Sequence, residues 1–223
     1  MDELRTKLLP FWGIDAAPDE IMACLSVRHA LHLCLEALVD RGTTVLMDDS
    51  IDPELRRSLV QRQANALRLR WDAEGPLLPD ELPEDCVIVL GTRRADANLS
   101  VSRTRAQQLL SAAARCDAII VEWASAPELR EPQRAAPSLR ALDVAGRVVF
   151  VSGLADVVAL GTAPGFVNAE RWFIERVRTL RRRNGSESAA GLQRAWAYFI
   201  GLGHYSAALT RAGRILQARR TEL

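Results

Sequence analysis

Apolar residues recur at helical spacing from Leu4 to Phe11 and again from Val27 to Val39, where Asp40-Arg41-Gly42 ends the second run. Thr43 to Met47 follows as a short β-branched and apolar run, the pattern of a strand. Pro53 suits the first turn of a helix reaching about Ala64, and Ala66 to Leu69 reads as the next strand. Beyond a proline-rich connection (Gly75-Pro76, Pro79, Pro83), the runs Asp85–Leu90, Asp117–Glu122 and Arg147–Ser152 have the length and content of strands buried on both faces. Between the first two of these, Ser102 caps a predicted helix reaching Arg115. Phe166-Val167 is a weaker last strand, and from Ala169 onward the pattern is helical: Glu170–Arg183, Ala189–Leu202 and His204–Glu222. Short apolar strands alternating with amphipathic helices predict an α/β fold. It is a three-layer sandwich around a mainly parallel sheet of about seven strands, with additional C-terminal helices.

Length and charge narrow the reading. A chain of 223 residues supports one sizeable core and is read as a single domain over 1–223; with 48% apolar and 26% charged residues it is a folding, globular sequence. A net charge of +1, with basic residues spread along the chain except at Arg181-Arg182-Arg183, gives no electrostatic footprint for direct nucleic-acid binding. The apolar runs are strand-sized, far short of the roughly 20 residues that cross a bilayer. Met1-Asp2-Glu3-Leu4-Arg5 lacks the basic start and apolar stretch of a secretory signal. A cytoplasmic protein without membrane contact is expected.

Cys24, Cys34, Cys86 and Cys116 are widely spaced, lie in or beside apolar segments and form no CxxC pair, which fits reduced, packed thiols. His29 and His32 lie three apart on a predicted helix, but no carboxylate or thiol cluster joins them, so structural placement is expected. Asp48-Asp49 and Asp52 are explained by the turn into the helix at Pro53. No metal is expected.

The order of segments, together with several stretches of sequence, resembles the aminotransferase-like domain of MocR-type transcription regulators, within the fold-type I pyridoxal-phosphate (PLP) aminotransferase family. Trp12-Gly13-Ile14-Asp15-Ala16-Ala17-Pro18-Asp19-Glu20-Ile21-Met22 looks like the family's lead-in to its first strand, and Arg28-His29-Ala30-Leu31 like the helix start after its phosphate-binding turn. Leu139 to Val151 is similar to the segment preceding the catalytic strand end. Leu192-Gln193-Arg194-Ala195, Gly203-His204-Tyr205 and Arg211 to Leu223 look like the helices leading to the family's C-terminal small domain. The resemblance runs from about Leu4 to Leu223 and implies the family's large domain alone, without a DNA-binding domain and with the small domain absent or truncated.

Set against the family's motifs, the chain departs wherever cofactor chemistry is concentrated. The Schiff-base lysine would fall at Asp156, and the only lysine in the chain is Lys7. The arginine that follows the family's lysine falls near Ala163, the carboxylate that faces the pyridinium nitrogen falls at Trp123, and the nearby tyrosine at Ser125. The phosphate turn reads Leu25-Ser26-Val27-Arg28, in which Ser26 and Arg28 either hold an anion or act only as an N-cap followed by a solvated arginine. The family's Pro and Gly ahead of Ser102 become Asp96 and Asn98.

Positions of the former cleft are then Ser26, Arg28, Asp49, Asn98, Trp123, Ser125, Asp156 and Ala163, with no catalytic residue and no cofactor expected. The indole of Trp123, directly after a strand, is expected to fill the space of the pyridine ring. These losses imply a non-catalytic relative: a pseudoenzyme acting in protein interaction, scaffolding or regulation, as a homodimer or with another protein partner. Two alternatives stay open. One is a non-catalytic subunit paired with an active PLP enzyme. The other is a small-molecule or nucleotide sensor using Arg93, Arg94 and Asn98 near a strand's C-terminal end.

Overall fold

The computed structural model describes residues 1–48, 51–79, 81–93, 101–124, 138–154 and 163–221, the side chains of residues 93, 216, 217 and 219–221 excepted. In chain order the elements are β1 (Ile21–Cys24), α1 (Val27–Leu38), β2 (Thr44–Met47), α2 (Pro53–Gln61), β3 (Asn65–Arg68), β4 (Arg70–Asp72), β5 (Gly75–Leu77), β6 (Val87–Arg93) and α3 (Arg103–Arg115). They continue as β7 (Ile119–Ala124), α4 (Leu139–Leu142), β8 (Val148–Gly153), β9 (Gly165–Asn168), α5 (Arg171–Arg183), α6 (Ala190–Gly201) and α7 (His204–Thr221). Seven strands form one sheet in the order β1-β9-β8-β7-β6-β2-β3. The pairings from β3 through β8 are parallel, and β9 runs antiparallel to both β8 and β1. The mainly parallel α/β architecture read from the sequence is the one observed.

Strand alternation sorts the apolar side chains onto two faces. Val45, Met47, Val87, Val89, Val121, Val149 and Val151 pack with the apolar sides of α1 and α5 and with Leu55 and Leu59 of α2. Leu46, Ile88, Leu90, Ile120 and Val148 face α3 and Leu139. Because both faces are covered, the central strands carry apolar residues at successive positions. Toward β8 and β9, the second face is covered by the N-terminal segment and by α6 and α7. There Trp12 meets Phe150 and Phe166 edge-on at ring-centroid distances of 5.3 and 6.2 Å, in the packing that ring quadrupoles favour.

Several elements differ from the sequence-based expectation. The N-terminal run forms a π-type turn over Leu4–Leu8 and then a 3-10 turn over Leu9–Trp12, because Pro10 cannot supply the amide that a continuous α-helix needs. The stretch Ile21–Cys24, read only as a lead-in, pairs with β9 as a sheet-edge strand. Arg70–Asp72 and Gly75–Leu77 form a separate two-stranded hairpin where a plain connection was expected. Its turn is closed by the Asp72 carboxylate, which accepts from the Glu74 and Gly75 amides.

Candidate functional site

Parallel strands bring their carboxyl ends to one edge of the sheet, the edge where open α/β folds place ligands. At that edge lie Asp48 after β2, Gly91 to Arg93 of β6, Trp123 of β7, Gly153 of β8 and Gly165 of β9, with the N-terminus of α1 following Cys24 of β1. The register aligns Gly91 with Trp123 and Gly153 with Gly165. A Cβ at position 91 would lie 2.9 Å from Trp123 Cε2, so the missing side chain of Gly91 lets the half-buried indole lie over β6, on the α1 face. Asp48 is fully buried, and its Oδ2 accepts from the Gly91 amide at 3.1 Å.

Glu122 precedes Trp123 and therefore points to the opposite face. It is fully buried. Its Oε1 accepts from Thr92 Oγ1 at 2.7 Å and from the Leu139 amide at 3.1 Å, while Oε2 accepts from the Arg140 amide at 2.9 Å. The carboxylate thus anchors the start of α4, whose N-cap is Ser138. Arg140 extends the lock, donating from Nε to Asn168 Oδ1 at 3.1 Å and from a guanidinium nitrogen to Glu170 at 2.9 Å. A single carboxylate inside an apolar strand, Ile-Ile-Val-Glu, was the sequence signal for this anchor.

At the α1 N-terminus, Ser26 Oγ accepts from the His29 amide at 3.1 Å, and Arg28 forms an ion pair at 2.6 Å with Asp52, itself the N-cap of α2. Gly165 presses against this turn: a Cβ there would lie 2.4 Å from the Ser26 carbonyl and 2.6 Å from the Val27 nitrogen. Ala163 is half-buried just ahead of β9, and Arg93 contributes its backbone to the end of β6. Asp49, Arg94, Asp96, Asn98, Ser125 and Asp156 lie outside the described residues.

Among the described residues no group of three or more His, Cys, Asp or Glu side chains suited to a metal includes His29 or His32. Instead, His29 Nδ1 accepts from the Leu25 amide at 3.2 Å and Nε2 lies 3.0 Å from Ser186 Oγ, which ties α1 to the turn after α5. Burial, then the charges of Arg181 and His32, lower the His29 pKa, so the folded state holds the neutral ring. The unfolded chain, at about 6.5, takes up its proton first. The stability that His29 contributes is therefore complete above about pH 6.5 and is lost as the pH falls below it. Urea unfolding at pH 7.5 and 5.5 is expected to show a smaller acid-induced loss in His29→Gln than in the unaltered chain; equal losses would refute this assignment.

All four cysteines are free. Cys24, Cys34 and Cys86 are buried and Cys116 is half-exposed. Burial pushes the Cys24 thiol up to about 12 against a smaller opposing pull from Arg181, and it also raises Cys34 and Cys86. These three thiols stay protonated and unreactive.

A PLP group at this edge needs a lysine amine, a carboxylate against its ring nitrogen and free amides for its phosphate. Lys7 is held in the N-terminal segment, where Nζ donates to the Gly201 carbonyl at 2.7 Å and pairs with Glu3. The carboxylate of β7, Glu122, is turned to the other face and hydrogen-bonded there, and the Trp123 indole lies on the α1 face. At the phosphate turn, Ser26 Oγ accepts from the His29 amide of its own helix, and Gly165 packs so close to the turn that a Cβ there would lie 2.6 Å from the Val27 nitrogen. The described residues do not fit the group.

No protein-family model matches the chain. It is 32% identical over 222 residues to the HTH-type transcriptional regulator TauR of Rhodobacter capsulatus, covering 99% of this chain and 46% of that protein. It is 25% identical over 209 residues to the probable rhizopine catabolism regulatory protein MocR of Rhizobium meliloti, covering 93% of this chain and 42% of that one. The chain thus spans less than half the length of these curated relatives. An aromatic aminotransferase from Pyrococcus horikoshii superimposes with a TM-score of 0.85 at 19% identity, covering 99% of this chain and 62% of the other. The chain is a homologue of MocR-type transcription regulators and of aminotransferases, and it has the large-domain fold of the fold-type I PLP aminotransferases.

Proposed function

We propose that this chain is a non-catalytic, aminotransferase-like domain that acts in regulation through protein contacts. The observation that best supports the reading is the arrangement on β7: Glu122 is bound to the start of α4 on the far face, and Trp123, which the resemblance aligns with the cofactor's ring partner, packs on the α1 face. Relatives whose names describe transcriptional regulators support a regulatory role over a metabolic one. Among the described residues no helix is long and apolar enough to cross a membrane, in keeping with a site of action in the cytoplasm.

Self-association is part of the proposal. Trp172 is 52% exposed, and Tyr198 and Leu202 on and just after α6 are each 70% exposed, large apolar side chains that a second protomer would cover. Light scattering at micromolar concentration is expected to give twice the 24.6 kDa chain mass. A mass of one chain would count against the homodimer. Affinity capture with the purified chain is then expected to retain a defined protein partner in fixed stoichiometry, whereas co-purification only with a lysine-containing homologue would favour the dead subunit of an active PLP enzyme.

A further inference from the structure

Positive charge is concentrated on one surface helix. α5 holds six arginines and one glutamate, a net +5 in a chain whose total is +1, so everything outside it sums to −4. Phe173, Ile174 and Val177 bury its inner side, and Arg181 also turns inward, donating to the Ala23 carbonyl at 2.6 Å. Arg176 and Arg183, seven positions apart, lie on one line of the exposed side, about 10 Å from each other at roughly 1.5 Å per residue. Exposed Arg182 stands beside that line and half-buried Arg178 on its flank. Three nearby acids are already engaged: Asp19 and Glu175 pair with Arg171 at 3.4 and 3.3 Å, and Glu36 of α1 accepts from Asn184 at 3.0 Å. Among the described residues Arg176, Arg178, Arg182 and Arg183 form no ion pair. The helix dipole favours cations in the last turn and accounts for Arg182 and Arg183, but it amounts to about half a charge and does not reach Arg176 and Arg178.

We infer that this face of α5 is the docking surface for an acidic, extended segment of a partner protein. Charge complementarity selects the sign. Two carboxylates three residues apart on an extended strand, at about 3.3 Å per residue, match the spacing of Arg176 and Arg183, and Arg182 meets a third. A long nucleic acid fits less well, because it senses the net negative charge of the rest of the chain. A short acidic segment lies within a Debye length of the arginines, about 8–10 Å, and is held by them alone. Trp172, at the other end of α5, is left to the protomer contact proposed above. The inference rests on the reading of this chain as a protein-contact domain and names the chemistry of one contact.

The test uses the intact chain and, as probe, a fluorescent oligoglutamate of about eight residues, long enough to span the arginines. Saturable binding is expected, weakening roughly tenfold as salt rises from about 0.05 to 0.5 M. Arg176→Glu together with Arg183→Glu, both exposed, is expected to weaken binding at least about tenfold. Arg176→Gln with Arg183→Gln, expected to cost about fivefold, serves as the second pair should the reversal disturb folding. The same change of net charge on α7, Arg211→Glu with Arg214→Glu, is expected to alter binding by less than about twofold. No saturable binding, an equal loss from the α7 reversals, or tighter binding of a duplex DNA of matched charge would each overturn the inference. Dissociation of the dimer by the α5 reversals would overturn it too, by giving the face to a second copy. Capture of the same protein partner by the unaltered chain and by the α5-reversed variant would overturn α5 as the contact while leaving the protein-contact reading intact.

Discussion

Glu122→Ala is expected to destabilise the chain by about 3–5 kcal/mol, because each buried donor left without an acceptor costs roughly 1–3 kcal/mol and three are left at once. These are the Thr92 hydroxyl and the Leu139 and Arg140 amides, and the first turn of α4 loses its anchor with them. Arg140, which links α4 to Asn168 and Glu170, then has no fixed helix to hold it. For a domain of this size the loss corresponds to a fall in Tm of roughly 6–20 °C. Glu122→Gln keeps an acceptor but turns an NH2 toward one donor, so a loss of about 1–3 kcal/mol is expected. Urea unfolding measures both. A change below about 1 kcal/mol for the alanine variant would show that water or neighbouring groups satisfy these donors.

Gly165→Ala is expected to cost about 3 kcal/mol, at the upper end of what overpacking does. The added methyl would meet backbone, Ser26 C and O at 2.4 Å and Val27 N at 2.6 Å, and backbone cannot rotate aside. Either β9 or the α1 N-terminus must shift, and the Ser26 cap on His29 goes with it. Gly191→Ala is the matched control: a Cβ there meets nothing within 4 Å in α6, so stabilisation by roughly 0.5–1 kcal/mol is expected. If thermal or urea unfolding ranks the two variants alike, the close approach of β9 to α1 is wrong.

The fold was legible where burial is two-sided. β6, β7 and β8 are continuous apolar runs because helices cover both their faces, and no other local structure gives that pattern at that length. β1, at the sheet edge, is short and held by pairing with β9, a contact 148 positions away between Glu20 or its neighbours and Asn168, which local pattern cannot carry. The β4–β5 hairpin was hidden by Pro76, which normally argues against a strand but is tolerated in this outlying two-stranded pair.

In the site, the cap at Ser26 was visible because capping is local. The roles of Gly91 and Gly165 were not, since each is defined by what crosses it from another strand or helix. Glu122 carried a signal, a charge inside an apolar strand, but only the fold shows which donors it serves. Asp49, Arg94, Asn98, Ser125 and Asp156 remain expectations drawn from the sequence.

The central claim is that this aminotransferase fold has given up its cofactor. It is tested most directly by titrating the purified chain with PLP, reducing with borohydride and mapping any adduct by mass spectrometry. No saturable change in absorbance and no stoichiometric adduct are expected, in the unaltered chain and equally in Asp156→Lys, because on this proposal Trp123 takes the ring partner's position. A saturable, reducible adduct on one residue of the unaltered chain would contradict the account.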